Sequence, residues 1–457
     1  MQSKLNKFQI DYIFYHLNLH CDFNEEIRKN IVFDFLPDQK KNKIIFPLSS
    51  KDLGDIKYID EVPVIFPVNV QKMFYNFDQN NNLIFYDDLL KSAFYFLSGY
   101  QEFKECTADQ YDRFSFKGSI QEKLNIPTYP VVNHYFEIII EGIEKYCKIN
   151  NIKFKRRKIW GDKKFCFLLT HDVDRVDKYT FRAIKFNTKQ LIGLSPTKLD
   201  KIDVLKLLVK NIVKIFSNEN PYWNFEWMKS LENKYGFNSV WYFLPQGDPS
   251  IDAFYSFEEK RIQHIQKRLL DNGDEIGLHS TYYSMNNESV LERDFESVKS
   301  LIGKNPIGNR QHWLRFKYPE TLRNLEKVGI KYDTSWGFHD HIGWRNSYCL
   351  PFKPYDIEND RMMDIWEFPL TVMDVTLFKY QSLDVNKAMI EFEKILETVE
   401  KYNGLLTLLW HNNNFDELIH PGITNFYQNL LKKLHQVNLK NFNGVEIINH
   451  LKTNKNQ

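Results

Sequence analysis

The apolar positions of the chain fall into two rhythms, and its second part carries both in alternation. Phe165-Cys166-Phe167-Leu168-Leu169 runs straight into the polar cluster Thr170-His171-Asp172-Val173-Asp174. An apolar run of that length, bounded by polar residues, predicts a parallel strand buried on both faces. From about residue 163 such runs alternate with stretches of helical period. Strands are expected at 165–170, 239–244, 275–278, 308–312 and 405–409, with an extended segment at 365–375. Helices are expected near 202–217, 224–235, 257–270, 287–302, 319–328 and 388–402. In the last of these Phe392, Ile395, Leu396 and Val399 recur at helical spacing. Alternation of this kind implies a parallel sheet, and a β/α barrel is its natural closure at this length.

Residues 1 to about 150 read as a smaller mixed α/β domain. Val62–Val68 and Leu83–Tyr86 look like short strands, and Pro63 and Pro67 would confine the first to a sheet edge. Asp87-Asp88 opens a helix with Leu90, Ala93, Phe94 and Leu97 on one face, and a second amphipathic helix runs from about Asn133 to Lys148. Asp112-Arg113 reads as a solvated or local ion pair. The basic run Lys153–Lys158 reads as a solvated linker. The expected division is therefore 1–150, a domain of open role; 151–162, a basic linker; and 163–457, the barrel.

Charge and cysteine usage narrow the classes. Lys+Arg 61 against Asp+Glu 59 leaves a net charge of +2, so nothing global points to nucleic acid or to a membrane surface. The five cysteines (Cys21, Cys106, Cys147, Cys166, Cys349) are scattered, which fits reduced thiols and no structural zinc. The start of the chain has no signal-like apolar core, and no run of about 18 apolar residues occurs. The expectation is a cytoplasmic protein without a membrane span. The 37 Phe and 25 Tyr are spread along the whole chain, as a compositional bias would spread them.

The candidate chemistry gathers where predicted strands end. Asp172-X-Asp174 places two carboxylates on one side of an extended chain. Like charges that close need a cationic compensator, and a divalent metal is the usual one. His279 follows the strand at 275–278, Arg310-Gln311-His312 ends the next, and His411 follows Leu408-Leu409-Trp410. In a barrel these ends converge on one face.

Residues from about 163 to 450 resemble the NodB-homology polysaccharide deacetylases (carbohydrate esterase family 4). Thr170-His171-Asp172-Val173-Asp174 is similar to the first family motif, His279-Ser280-Thr281-Tyr282-Tyr283 to half of the second, Arg310 to the third and Leu408-Leu409-Trp410-His411 to the last. Tyr332-Asp333-Thr334-Ser335, Gly343-Trp344-Arg345 and Glu367-Phe368-Pro369-Leu370 resemble a bacterial subgroup, and residues 87–130 resemble the uncharacterised domain that precedes such enzymes. The resemblance implies a distorted (β/α) barrel of the polysaccharide deacetylase type. It implies removal of an N-acetyl group from an acetamido sugar or polysaccharide by metal-activated water, with zinc the first choice of divalent metal. Asp174 and His279 would hold the metal, Asp172 would be the base, Arg310 would orient Asp172, and His411 would protonate the leaving amine. Trp410, Tyr283 and Arg345 would meet the substrate. Tyr283 stands where the family has its second metal-binding His. Candidates for the third ligand are His312 first, then His339, Asp340 and His341; alternatively water fills that place.

Three rivals accompany this reading. A degenerate member of the fold would bind carbohydrate without catalysis. Asp172-Val173-Asp174-Arg175-Val176 also fits the pattern of aspartate-nucleophile phosphatases, with Gly273-Asp274-Glu275 the nearest second acidic pair. Asp-X-Asp occurs in sugar-nucleotide transferases too, although no Gly-rich nucleotide turn precedes it here.

Overall fold

The computed structural model describes the chain except residues 1–2, 35–40, 105–107, 198, 218, 416, 418–419 and 456–457. Cys106 lies outside the described residues; the other four cysteines are buried free thiols.

The alternating segments build one parallel sheet. Its strands are β1 (Phe165–Val173), β2 (Ser239–Phe243), β3 (Glu275–Ser280), β4 (Gly308–Gln311), β5 (Tyr332–Asp333), β6 (Trp366–Glu367), β7 (Val372–Met373), β8 (Leu405–Leu409) and β9 (Leu439–Asn441). The path runs β6-β5-β4-β3-β2-β1-β8-β7, with every neighbour parallel, and β9 adds beside the start of β1. The two ends of this path are consecutive in the chain. The segment expected to be extended over 365–375 is indeed the closing strand, but it changes partner half-way. Phe368 donates its N–H to Asp333 O (2.9 Å) on one side, and Thr371 donates to Thr407 O (3.2 Å) on the other. Pro369 between them has no N–H to offer. The result is a distorted (β/α) barrel closed by a split strand.

Period-two alternation sorts the side chains. Phe165, Phe167 and Leu169 on β1 join Leu406 and Leu408 on β8 in a cluster beneath the helices Val385–Lys401 and Ile423–His435. Cys166 and Leu168 belong to the other cluster, inside the barrel, with Val240, Tyr242 and Leu278. Two glycines make room there. A Cβ on Gly277 would lie 2.5 Å from the Tyr242 ring, and one on Gly308 would lie 2.0 Å from the ring of Tyr332. These large rings fill the barrel's interior as packed core.

The smaller lobe that precedes the barrel holds a four-stranded mixed sheet, in the order Ile31–Phe33, Ile44–Phe46, Leu83–Phe85, Tyr75–Phe77, beside the helices Lys7–Leu17, Leu89–Leu97 and Val131–Ile149. Asp88 caps the second helix by accepting from Lys91 N–H (2.8 Å). Among the described residues Val62–Val64 pairs only with Lys57–Ile59, in a ribbon apart from the four-stranded sheet. The run 153–158 departs from the linker expectation. It lies along the lobe, where Arg156 pairs with Glu137 (2.8 Å) and Glu144 (2.9 Å), and Arg157 donates its N–H to His20 O (2.7 Å).

Lobe and barrel share a core. Tyr12 and Phe94 pack on Tyr355 at 4.9 and 5.1 Å between ring centroids. Arg345, expected at the substrate, instead forms a two-pronged pair with Glu102: Nε to Oε1 at 2.7 Å and Nη2 to Oε2 at 2.5 Å. Both residues are buried, so Arg345 is a fastener between the two parts.

Candidate metal centre

β1 carries Asp172 on its inner face and delivers Asp174 just past its end. β3 brings His279, and the turn after β4 brings His312. One ligand atom from each of Asp174, His279 and His312 lies within 4.8 Å of the others. His279 Nε2 stands 3.2 Å from Asp174 Oδ1 and 3.5 Å from Asp172 Oδ2. Among the described residues, none donates a hydrogen bond of good geometry to Asp172 Oδ1 or Asp174 Oδ1, both buried.

Both histidines are oriented from behind. His279 Nδ1 lies 2.8 Å from the carbonyl of Arg310. A carbonyl only accepts, so Nδ1 carries a proton, and Nε2 is the nitrogen turned towards the carboxylates, the one whose lone pair a metal would take. His312 Nδ1 lies 2.9 Å from Asp252 Oδ1, which leaves its Nε2 as the open nitrogen. Asp252 is itself pinned: it accepts from the backbone N–H groups of Tyr282 (2.9 Å) and Asp248 (2.8 Å). Imidazole ligands held this way by a carboxylate or carbonyl are the usual support of a metal site. Burial opposes the charge on Asp174. The imidazole of His279 against it and those of His312 and His411 prevail, holding its carboxyl well below the usual range.

His411 faces the carboxylates from β8. Its Nε2 lies 3.9 Å from Asp172 Oδ2 and 3.8 Å from Asp174 Oδ2. Behind it Asp374 accepts twice, from Nδ1 (2.7 Å) and from the His411 N–H (2.8 Å). Burial would lower the His411 pKa, but Asp374 first, then Asp174 and Asp172, push it up to about 10.

Residues 4–148 match a family of unknown function, DUF7033. No curated protein matches the chain. Among solved structures, a probable polysaccharide deacetylase from Pseudomonas aeruginosa PAO1 is similar at 11% identity and a TM-score of 0.44, over 67% of this chain and 97% of that one. The allantoinase PuuE is similar at 13% identity and a TM-score of 0.42, over 64% and 92%. A mutant of a CE4 family pseudoenzyme is similar at 11% identity and a TM-score of 0.30, over 63% and 68%.

Several residues singled out from the sequence stand elsewhere. Tyr283 sits in the turn Tyr282–Ser284 with 51% of its surface exposed. His279 and Tyr283 do not share a helix, because His279 still belongs to β3. Trp410 is fully buried on the outer side, against Phe415, Phe426 and Tyr427, so it is not a wall for substrate. Arg310 is buried and donates to Thr170 Oγ1 (3.0 Å), with its guanidinium 5.3 Å from the Tyr242 ring. Among the described residues no hydrogen bond joins it to Asp172, and its Nε and Nη1 have no acceptor. His339, Asp340 and His341 face residues 109–117 instead of the cluster: His339 lies 3.5 Å from Asp109, Asp340 accepts from Phe116 N–H (2.9 Å), and His341 packs on the Phe116 ring.

That last set exposes something the sequence reading missed. Asp112 and Arg113 are not a local pair. Arg113 binds Asp109 (2.7 Å) and donates to Tyr380 Oη (3.1 Å) and Trp313 O (3.4 Å). Asp112 pairs with Arg315 (2.9 Å), whose guanidinium also donates to Tyr111 O and covers the Tyr282 ring at 3.9 Å. The lobe thus grips the loops after β3 and β4. Trp313, next to His312, is held there at φ 62°, a left-handed backbone that a tryptophan rarely adopts. Asp252 and Asp374 were also missed. Asp252 lies in a loop with no pattern to mark it. Asp374 follows the closing strand, and its place at a strand end was a usable signal.

Proposed function

We propose that this protein is a metal-dependent hydrolase that removes an N-acetyl group from an acetamido sugar or polysaccharide. The observation that carries the reading is the cluster of Asp174, His279 and His312, with both imidazoles oriented through Nδ1 and two buried carboxylate oxygens left without donors. One carboxylate and two imidazoles are a usual donor set for zinc. A divalent cation there supplies an acidified water and polarises the acyl oxygen. Asp172 supplies the base for the water proton: its neighbours are imidazoles, and Oδ1 is free to accept. His411, protonated through Asp374, stands across the same carboxylates as the acid for the leaving amine. Trp313, which packs on His312 and is partly exposed, stands at this mouth and offers an aromatic surface to a pyranose ring.

The phosphatase reading loses its second acidic pair. Asp274 precedes β3, at the opposite end of the strand from His279, where it binds Lys229 (2.7 Å). The test is acetate release from an N-acetylated chitooligosaccharide by zinc-loaded protein. Asp172→Asn should retain zinc and release no acetate. Full zinc occupancy with no acetate from the wild-type chain would sink the hydrolytic reading and favour a carbohydrate-binding role.

A further inference from the structure

Between β1 and β2 the chain leaves the barrel as two helices, Phe181–Leu191 and Lys201–Lys214, that pack on each other. Their packing is inverted. The buried residues of the pair are Asn187, Val204 and Asn211, and Asn211 donates to Asn187 (2.6 Å) across the seam. The apolar side chains turn outward. Ten of the 22 large apolar side chains exposed among the described residues fall between Phe181 and Phe216, and Phe216 itself is 86% exposed. On the second helix Ile202, Leu205, Val209, Ile212 and Val213 form one stripe that Phe216 continues. An apolar patch of this kind marks a surface made to be covered.

The charges say what covers it. Arg182, Lys185 and Lys189 on the first helix, and Lys201, Lys206, Lys210 and Lys214 on the second, outnumber the acids beside them: Asp200 caps the second helix, Asp203 pairs with Lys206 (2.7 Å) and Glu219 pairs with Lys214 (2.5 Å). The whole chain carries +2, so the rest of it is net negative. Lys206, Lys210 and Lys214 recur every four residues, along one edge of the stripe. A symmetric contact with a second copy would bring these cations together, which is costly. Lysines flanking an outward apolar stripe instead suit an anionic bilayer: the side chains enter the interface, and the ammonium groups reach the head groups.

We propose that this helix pair docks on the surface of an anionic lipid bilayer. Phe181 follows Asp174 by seven positions, so docking holds the mouth of the barrel at that surface. The proposal does not depend on the reaction assigned to the mouth.

Co-sedimentation of the full chain with vesicles tests it. The chain should bind phosphatidylcholine vesicles containing phosphatidylglycerol, and bind pure phosphatidylcholine at least tenfold less. Val209→Glu with Phe216→Glu should cost tenfold or more. Lys206→Gln, Lys210→Gln and Lys214→Gln should each cost about fivefold, less in high salt. The lysine series reads the effect even if the double variant fails to fold. Absent binding, or equal binding to both vesicle types, overturns the proposal. So does a lipid-free dimer by light scattering that Lys210→Gln leaves intact and Phe216→Glu disperses, because a second copy would then be the occupant.

Discussion

Glu102 and Arg345 are 243 positions apart in the chain and meet as a buried two-pronged ion pair, with Glu102 also accepting from the Trp336 indole (3.1 Å). Removing one partner leaves the other charged and dry, which typically costs about 3–5 kcal/mol. Glu102→Ala should therefore destabilise the whole chain by that order. Chemical denaturation followed by tryptophan fluorescence measures it. A loss below about 1 kcal/mol would mean the pair is hydrated in solution.

Asp252 stands behind the candidate centre and fixes the His312 ring through Nδ1. Asp252→Asn should weaken zinc binding by about 10- to 100-fold while leaving the fold intact. His312→Ala should weaken it further. Tyr283→His should change little, because that side chain is half exposed and lies outside the cluster. Calorimetric titration of zinc into the apo-protein compares all three. Tightening by Tyr283→His would show that the turn after β3 can swing inward.

Asp374 holds the proton of His411 in place. On the proposed mechanism Asp374→Asn slows acetamide hydrolysis by about 10²–10⁴-fold, the usual contribution of a positioned acid. A nitrophenyl acetate, whose leaving group needs no proton, should be affected much less. Equal losses on the two substrates would make the Asp374–His411 pair purely structural.

His20 gives a pH prediction. Its Nε2 meets Tyr348 Oη at 3.0 Å where lobe and barrel join, and burial pushes its pKa down to about 4 from 6.5. The unfolded chain then binds the proton more readily than the folded one between those values. Stability from this site is complete above pH 6.5 and is lost as pH falls towards 4. The thermal midpoint should drop over that window, and His20→Phe should flatten the drop. An unchanged slope in the variant would assign the acid sensitivity to other groups.

The strands legible in the sequence were those buried on both faces. β1, β2 and β8 carry mostly apolar runs, β3 carries only Ile276 and Leu278 between polar residues, and the ends of β1, β3 and β8 marked Asp172, Asp174, His279 and His411. β5, β6 and β7 are two residues each, too short for any periodicity. Trp410 was misplaced although the alternation contained the answer. His411 faces the barrel mouth, so its neighbour points outward with Leu408 and Leu406. Arg345 was misplaced because a buried arginine at a site and one at an interface look alike until the partner is known. Asp252 comes from a loop 60 positions before His312, and the lobe's grip on Trp313 joins residues 200 positions apart. Nothing local encodes either.

The split closing strand has a consequence for the barrel on its own. Where β6 meets β5 and β7 meets β8, each ladder is two residue pairs long, against five between β8 and β1. The free edge of β6 is covered by Phe352, which exchanges two backbone hydrogen bonds with Glu367 (3.0 and 2.7 Å). Phe352 belongs to the excursion between β5 and β6, and that excursion is what the lobe holds: Val132 N–H donates to Ser347 O (3.1 Å), Cys349 N–H to Asn133 Oδ1 (2.9 Å), and Arg345 to Glu102. The lobe therefore acts as a hoop around the thinnest stave. A chain trimmed to begin at residue 163 would keep Phe352 but lose the contacts that hold its segment against β6, leaving a loosely covered strand edge beside a stripped apolar face, the ingredients of edge-to-edge aggregation.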